Sequence, residues 1–173
     1  MMIIGLAGRK QSGKSTLAQF LCEGLGFKED SFGAPIRQFV AQLCGYTLGE
    51  LEVYKEVVHP MFGKTPRHMM QTLGTDWARN TISDSIWVDC LASRLSDANK
   101  VVISDLRFEN EATAIRAMGG TIIHIERLQN EPTDMHASEA GIKPVLGPDY
   151  IIHNNGSING FFDQAKEILG ELK

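Results

Sequence analysis

Near the amino end the run Gly8-Arg9-Lys10-Gln11-Ser12-Gly13-Lys14-Ser15 fits G-x-x-x-x-G-K-[ST], and Thr16 follows it. Such a run suits the binding of a polyphosphate. Gly8 and Gly13 admit backbone angles that other residues resist, so successive N–H groups can close around an anion. Lys14 adds a point charge for the outer phosphates, and the Ser15 hydroxyl suits a Mg²⁺ ligand. Asp105, far along the chain, closes an apolar run and is the natural second contributor to that Mg²⁺; its alternative is to cap the next helix. Arg107 can clamp a phosphoryl oxygen bidentately, or pair with Glu109 or Glu111. Arg37, Arg67 and Arg79 carry planar forks that match a monophosphate, with Asp76 and Trp77 within a turn of Arg79. The spacing of Trp77 favours the core over stacking on a base. Arg127 opens a polar stretch reaching about Lys143. That stretch reads as a lid over phosphates, with His136, Ser138 and Glu139 as substrate contacts inside it. No metal-type spacing surrounds His136, and His59, His68, His124 and His153 suggest nothing sharp.

These residues need a frame. Met2-Ile3-Ile4-Gly5-Leu6-Ala7 is short and apolar, as a buried parallel strand should be, and Leu17, Phe20 and Leu21 behind the glycine loop fall at helical spacing. The loop therefore joins a strand to the positive end of a helix. Residues 27–32 form a poor strand. Val101-Val102-Ile103-Ser104-Asp105, Thr121-Ile122-Ile123-His124-Ile125 and Tyr150-Ile151-Ile152 are the later strands. Between the second and third strands the chain is helical. Gly33-Ala34-Pro35 opens a helix with Ile36, Phe39, Val40 and Leu43 on one face, and Thr65-Pro66 starts another with Met69, Leu73 and Trp77 in line. Residues 46–64 are the least regular part. Ser83 or Asp84 caps a helix burying Trp87, Leu91 and Leu95. Asn110 to Met118 makes a helix ended by Gly119-Gly120. The Asn154-Asn155-Gly156-Ser157 turn leads into a closing helix with Phe161, Ala165, Ile168, Leu169 and Leu172 inward. Strands alternating with helices predict a parallel α/β sheet with ligands at the carboxyl ends of its strands.

The chain has 173 residues, 43% of them hydrophobic and 22% charged, enough for one domain with a sizeable core. A formal net charge of −4 argues against a general binder of polymeric nucleic acid. The three cysteines, Cys22, Cys44 and Cys90, are scattered and read as reduced thiols. No apolar run has the length of a membrane span and no signal core opens the chain, so a cytoplasmic protein without a membrane partner is expected. Met69, Met70 and Trp87 lie on helix faces that suit either a homodimer interface or the core.

With these residues in place, the sequence resembles the deoxynucleoside monophosphate kinases of bacteriophages, within the P-loop nucleoside monophosphate kinase-like group. The resemblance is carried by the P-loop, Thr65-Pro66-Arg67, Leu73-Gly74-Thr75-Asp76-Trp77-Ala78-Arg79, Ser104-Asp105-Leu106-Arg107-Phe108-Glu109-Asn110-Glu111 and His136-Ala137-Ser138-Glu139. It covers nearly the whole chain, which is short for that group. It implies an α/β/α three-layer P-loop fold with a five-stranded parallel sheet, a helical acceptor-binding insertion at about 34–97 and a lid at about 127–143. It also implies transfer of the ATP γ-phosphate to a deoxynucleoside 5′-monophosphate with Mg²⁺. Lys14, Asp105, Arg107 and Arg127 are then catalytic. Residues 8–16 and Asn155 hold ATP, with Ser15 and Asp105 on the metal. Arg37, Arg67, Asp76, Trp77, Arg79, Glu111, His136, Ser138 and Glu139 face the acceptor. Two other readings are weighed against it. Dephospho-CoA kinase shares the early P-loop and an Ile-x-Asn-Asn-Gly-Ser-like closing turn, but fits the arginine-bearing middle segments less well. A P-loop switch that controls a partner lacks support because no Asn-Lys-x-Asp segment is present.

Overall fold

A computed structural model describes residues 1–95, 99–128, 142–145 and 147–172. The chain forms two compact units, one of Met1–Ser31 with Ala92–Lys173 and the other of Phe32–Leu91.

The first unit is built on five parallel strands, β1 (Met2–Ala7), β2 (Lys28–Asp30), β3 (Lys100–Ile103), β4 (Thr121–Glu126) and β5 (Asp149–His153), in the spatial order β2-β3-β1-β4-β5. β1 is central, pairing Ile4 with Val102 on one side and Leu6 with Ile123 on the other. Its alternate side chains feed two cores. Ile4 and Leu6 pack with Leu17 and Leu21 of helix α1 (Lys14–Leu25), and with Phe161, Ala165 and Leu169 of the closing helix, Ile158–Glu171. Burying each such large side chain contributes about 1.5–3 kcal/mol. On the opposite face Gly5 leaves room for Leu106 and Ile115, the latter from the helix Glu109–Ala117. The three layers are helix, sheet and helix, as expected from the sequence.

β3 ends at Ile103, the last apolar residue of its run. Ile103 pairs with Asp30, the last residue of β2, and with Gly5 of β1, and these are the last paired positions of the strand. Ser104 and Asp105 therefore belong to the loop after the strand, a correction to the expectation that Asp105 closes it.

The start of β5 holds a buried ionic group. The Asp149 side chain is 0% exposed and accepts from Arg116 Nε at 3.0 Å and Nη2 at 2.6 Å. His124 Nε2 lies 3.0 Å from Asp149 Oδ2, and the Val145 amide donates to the same oxygen at 2.8 Å.

The second unit is helical: α2 (Ala34–Cys44), α3 (Leu48–Tyr54), α4 (Pro66–Gln71) and a π-helical segment, Thr72–Ile82. Helix α5 (Ile86–Arg94) carries the chain back to the first unit; α6 (Glu109–Ala117) and α7 (Ile158–Glu171) complete the series. α3 forms where the sequence looked least regular. Its signal is the capping box Thr47-x-x-Glu50, in which the Glu50 amide donates to Thr47 Oγ1 at 3.2 Å and the Thr47 amide donates to Glu50 Oε2 at 2.8 Å. Thr65 caps α4 by accepting from the His68 amide at 3.1 Å, with Pro66 in the first turn.

Two expected faces are corrected. α2 buries Val40, Ala41 and Cys44, with Ile36 packed beside them, and leaves Phe39 and Leu43 exposed. The small Ala41 and Cys44 complete a stripe that a count of large residues overlooks. Trp77 is 50% exposed rather than core. The widening from α- to π-helix at Thr72 changes the angle per residue, so Trp77 no longer lines up with Met69 and Leu73. Trp87 is buried and its Nε1–H donates to the Gly74 carbonyl of the π-helical segment at 2.8 Å. Met69 and Met70 pack on the same small core.

Candidate active site

β1 ends at Ala7 and the chain enters the P-loop through Gly8, whose φ is 149°; Gly13, with φ 114°, precedes α1. A Cβ on Gly8 would stand 2.6 Å from the Ile125 carbonyl oxygen, and one on Gly13 would stand 2.6 Å from Asn154 Nδ2. Both positions thus exclude a side chain on two counts, backbone angle and space. Gly8→Ala is expected to lower stability by about 1–3 kcal/mol and to abolish the rise in thermal midpoint expected with ATP for the unaltered chain. A melting series with and without ATP checks both parts.

Ser12 is 1% exposed, and its Oγ has no hydrogen-bond partner among the described residues. Lys14 folds back over the loop, donating from Nζ to the Gly8 carbonyl at 2.6 Å and the Arg9 carbonyl at 2.8 Å. Ser15 and Thr16 are exposed on the first turn of α1. A cleft of about 420 Å³ opens here, lined by Gln11, Gly13, Lys14, Ser15, Thr16 and Arg127, and by Asn154, Gly156 and Ile158 from the closing turn. A helix N-terminus, a lysine and an arginine meet in one concavity, which makes it an anion site.

The glycine cradle, the helix end and the Lys14 charge fit a nucleoside triphosphate. Among the described residues no group of three or more His, Cys, Asp and Glu could hold a metal. Mg²⁺ is commonly held through one or two protein groups together with substrate phosphates. The fitting residues are Ser15 and, in the loop after β3, the half-buried Asp105.

Glu111 shapes that loop. It is 2% exposed, and its Oε2 accepts from the amides of Arg107 at 2.9 Å and Phe108 at 3.1 Å. This is capping geometry at the start of α6, so the carboxylate expected to face the acceptor orders the backbone that carries Arg107. Arg107 is half-buried.

The closing turn divides its work between two asparagines. Asn154 Nδ2 donates to the Ser12 carbonyl at 2.8 Å, tying the turn to the P-loop. Asn155 Oδ1 accepts from the Leu128 amide at 2.9 Å. Arg127 lies beside that bond and reaches the Gln11 carbonyl from Nη1 at 3.4 Å. Sequence reasoning pointed to the Asn154–Ser157 turn for ATP and to Asn155 within it; the residues that line the cleft are Asn154 and Gly156 of that turn and Ile158 beyond it, which spacing did not mark. Spacing alone marks the turn but not which amide faces the loop.

In the helical unit, Arg67 pairs through Nε with Glu56 and its amide donates to the Lys55 carbonyl at 2.9 Å. Arg79 is 8% exposed and donates from Nη1 to the Asp84 carbonyl at 3.0 Å. Asp76 and Trp77 are exposed on the π-helical segment and Arg37 is half-buried on α2. His136, Ser138 and Glu139 lie outside the described residues. Among the described residues no helix is long and apolar enough to cross a membrane.

Known proteins agree with this picture. The family model for deoxynucleotide monophosphate kinase matches residues 53–165. A protein of Acanthamoeba polyphaga mimivirus, provisionally named a deoxynucleotide monophosphate kinase, is 35% identical over 184 residues, covering 95% of this chain and 94% of that protein. The deoxynucleotide monophosphate kinase of Enterobacteria phage T4 is 36% identical over 111 residues, 61% of this chain and 46% of the phage protein. That of Escherichia phage RB69 is 37% identical over 108 residues, 60% and 44% respectively. Among solved structures, TT1252 from Thermus thermophilus superposes with a TM-score of 0.55 at 18% identity, covering 99% of this chain and 98% of that one, and so shares the fold. The cleft marks a P-loop phosphotransferase, the relatives favour a nucleotide kinase over the coenzyme and switch readings, and the chain belongs to the deoxynucleotide monophosphate kinase family.

Proposed function

We propose that this kinase moves the γ-phosphate of ATP to a deoxynucleoside 5′-monophosphate, giving the diphosphate, and that it requires Mg²⁺. The observation that carries the reading is the P-loop cleft, where Lys14, Ser15 and Arg127 converge in a chain of this family. Phosphoryl transfer needs positioning and charge neutralisation more than covalent chemistry. The P-loop amides and the N-terminus of α1 hold the polyphosphate. Lys14 exchanges the Gly8 and Arg9 carbonyls for phosphate oxygens, which its flexible stem allows. Ser15 and Asp105 would hold Mg²⁺, which supplies charge neutralisation at the phosphates when bound. Arg127 from the end of β4 and Arg107 from the loop shaped by Glu111 spread the charge that develops during transfer.

The helical unit supplies the acceptor contacts in this reading, through Arg37, Arg67, Arg79, Asp76 and Trp77. Arg67 is the best placed of its arginines to grip a phosphate, because its fork needs only to exchange the partly exposed Glu56. Arg79, buried against Asp84, steadies the π-helical segment that presents Asp76 and Trp77. The expected lid, His136, Ser138 and Glu139 included, closes over the phosphates and keeps water from the γ-phosphorus.

With γ-labelled ATP, the label should pass to a deoxynucleoside diphosphate. Label recovered only as inorganic phosphate would indicate the hydrolytic switch instead. Arg67→Ala should raise the acceptor KM at a cost of about 2 kcal/mol or more, with the ATP KM held within a few-fold. A rise in the ATP KM alone would show that the two sites are reversed.

A further inference from the structure

β4 and β5 stay in parallel register to Glu126 and His153, and the Asn154 amide adds one more rung by donating to the Glu126 carbonyl at 2.8 Å. After that the backbone of the second strand turns toward α7. The next N–H of the first strand's extension, that of Leu128, would lack a partner on the ladder. The side-chain carbonyl of Asn155 takes the place of the missing backbone carbonyl, at 2.9 Å. Between these two anchored points stands one residue, Arg127. Its guanidinium lines the nucleotide cleft. Neither packing nor burial fixes that stretch, since Arg127 is exposed and the Leu128 side chain is 87% exposed. The backbone anchors alone decide where the arginine starts.

We infer that Asn155 is a positioning residue for phosphoryl transfer, holding Arg127 over the phosphates through the Leu128 amide rather than binding nucleotide itself. The inference rests on the reading of Arg127 as a charge-spreading group. The chemistry of the amide supports it. The partner is an N–H donor, so the contacting atom must be the carbonyl oxygen. A neutral amide offers that acceptor without bringing a negative charge beside a polyphosphate. Asn154, its neighbour, uses the other half of the group, donating to the Ser12 carbonyl. One short turn therefore sets both the P-loop and the arginine opposite it, and a long flexible side chain begins from a fixed base. Displacement of such a group by about 1 Å costs on the order of 100-fold in rate.

The test uses the full chain and four variants, assayed for kcat at saturating ATP and acceptor. Arg127→Ala should lower kcat roughly 100-fold, and Asn155→Ala between about tenfold and 100-fold. The double variant should be no slower than Arg127→Ala alone, because Asn155 acts only through that arginine. Asn155→Asp retains an acceptor oxygen, and should recover kcat to within roughly threefold while its charge raises the ATP KM. Hydrogen exchange supplies a readout apart from activity: the Leu128 amide should be protected in the unaltered chain and in Asn155→Asp, and unprotected in Asn155→Ala. Full kcat in Asn155→Ala, losses that multiply in the double variant, or no recovery by Asp would each overturn the inference. Full kcat in Arg127→Ala would instead overturn the role of the arginine, and this inference with it. Should Asn155→Ala not fold, recovery and Leu128 protection in Asn155→Asp decide the matter.

Discussion

Replacing Lys14 with alanine is expected to lower kcat by on the order of 10²–10³-fold while leaving the fold intact. The asymmetry follows from where the side chain lies. Nζ donates to the Gly8 and Arg9 carbonyls of its own loop, at 2.6 and 2.8 Å, in an exposed setting where water can replace it. The loss of stability should therefore stay within about 1 kcal/mol. In the transfer reaction no water can follow the charge as it moves across the bridging oxygens, and a fixed ammonium is worth far more there. Steady-state kinetics and a thermal melt on the same preparation check the two halves. Near-normal turnover in Lys14→Ala would remove the P-loop from the mechanism.

Asp149→Ala should do the reverse, harming the fold first. It removes the carboxylate that satisfies Arg116, His124 and the Val145 amide in a fully buried position. Breaking such a group from one side costs about 3–5 kcal/mol, or roughly 6–20 °C in thermal midpoint for a chain of this size. Burial pushes the Asp149 carboxyl up, but the Arg116 fork, the Val145 amide and His124 outweigh it, so the net pKa lies below the ordinary carboxylate value. A carboxyl depressed in the folded state adds stability above its unfolded pKa and loses it as pH falls through the folded one. The gap in midpoint between the unaltered chain and Asp149→Ala should therefore be full at neutral pH. It should narrow below about pH 4, where the unfolded carboxyl begins to protonate. A gap that widened in acid would contradict this assignment of charge.

No member of that group was conspicuous in the sequence. Arg116, His124 and Asp149 lie on three separate elements, and it takes both the pairing of β4 with β5 and the packing of α6 on β4 to bring them together. The P-loop was legible because its chemistry is local: two glycines, a lysine and a serine act within one turn between a strand and a helix. Four of the strands were legible as apolar runs, whereas β2, with Lys28, Glu29 and Asp30, owes its pairing to its place at the sheet edge. The signal for α3 is confined to Thr47 and Glu50, and the surrounding glycines and proline mask it. Trp77 could not be placed from spacing, since a π-helical segment breaks the period on which the argument depends. Glu111 shows a different limit. Its position in a motif suggested a ligand, but its two backbone partners show a carboxylate that shapes the loop beneath Arg107. The two asparagines of the closing turn are alike in sequence and differ only in which half of the amide each one uses.

In the proposed reaction ATP turnover is coupled to a deoxynucleoside monophosphate. The most direct measurement is ADP release from ATP and Mg²⁺ in the presence of each of the four deoxynucleoside 5′-monophosphates, of dephospho-CoA, and of no acceptor. Release should rise far above the acceptor-free rate with at least one deoxynucleoside monophosphate and stay at that rate with dephospho-CoA. Release that depends on dephospho-CoA, or that is the same with and without any acceptor, would contradict that coupling.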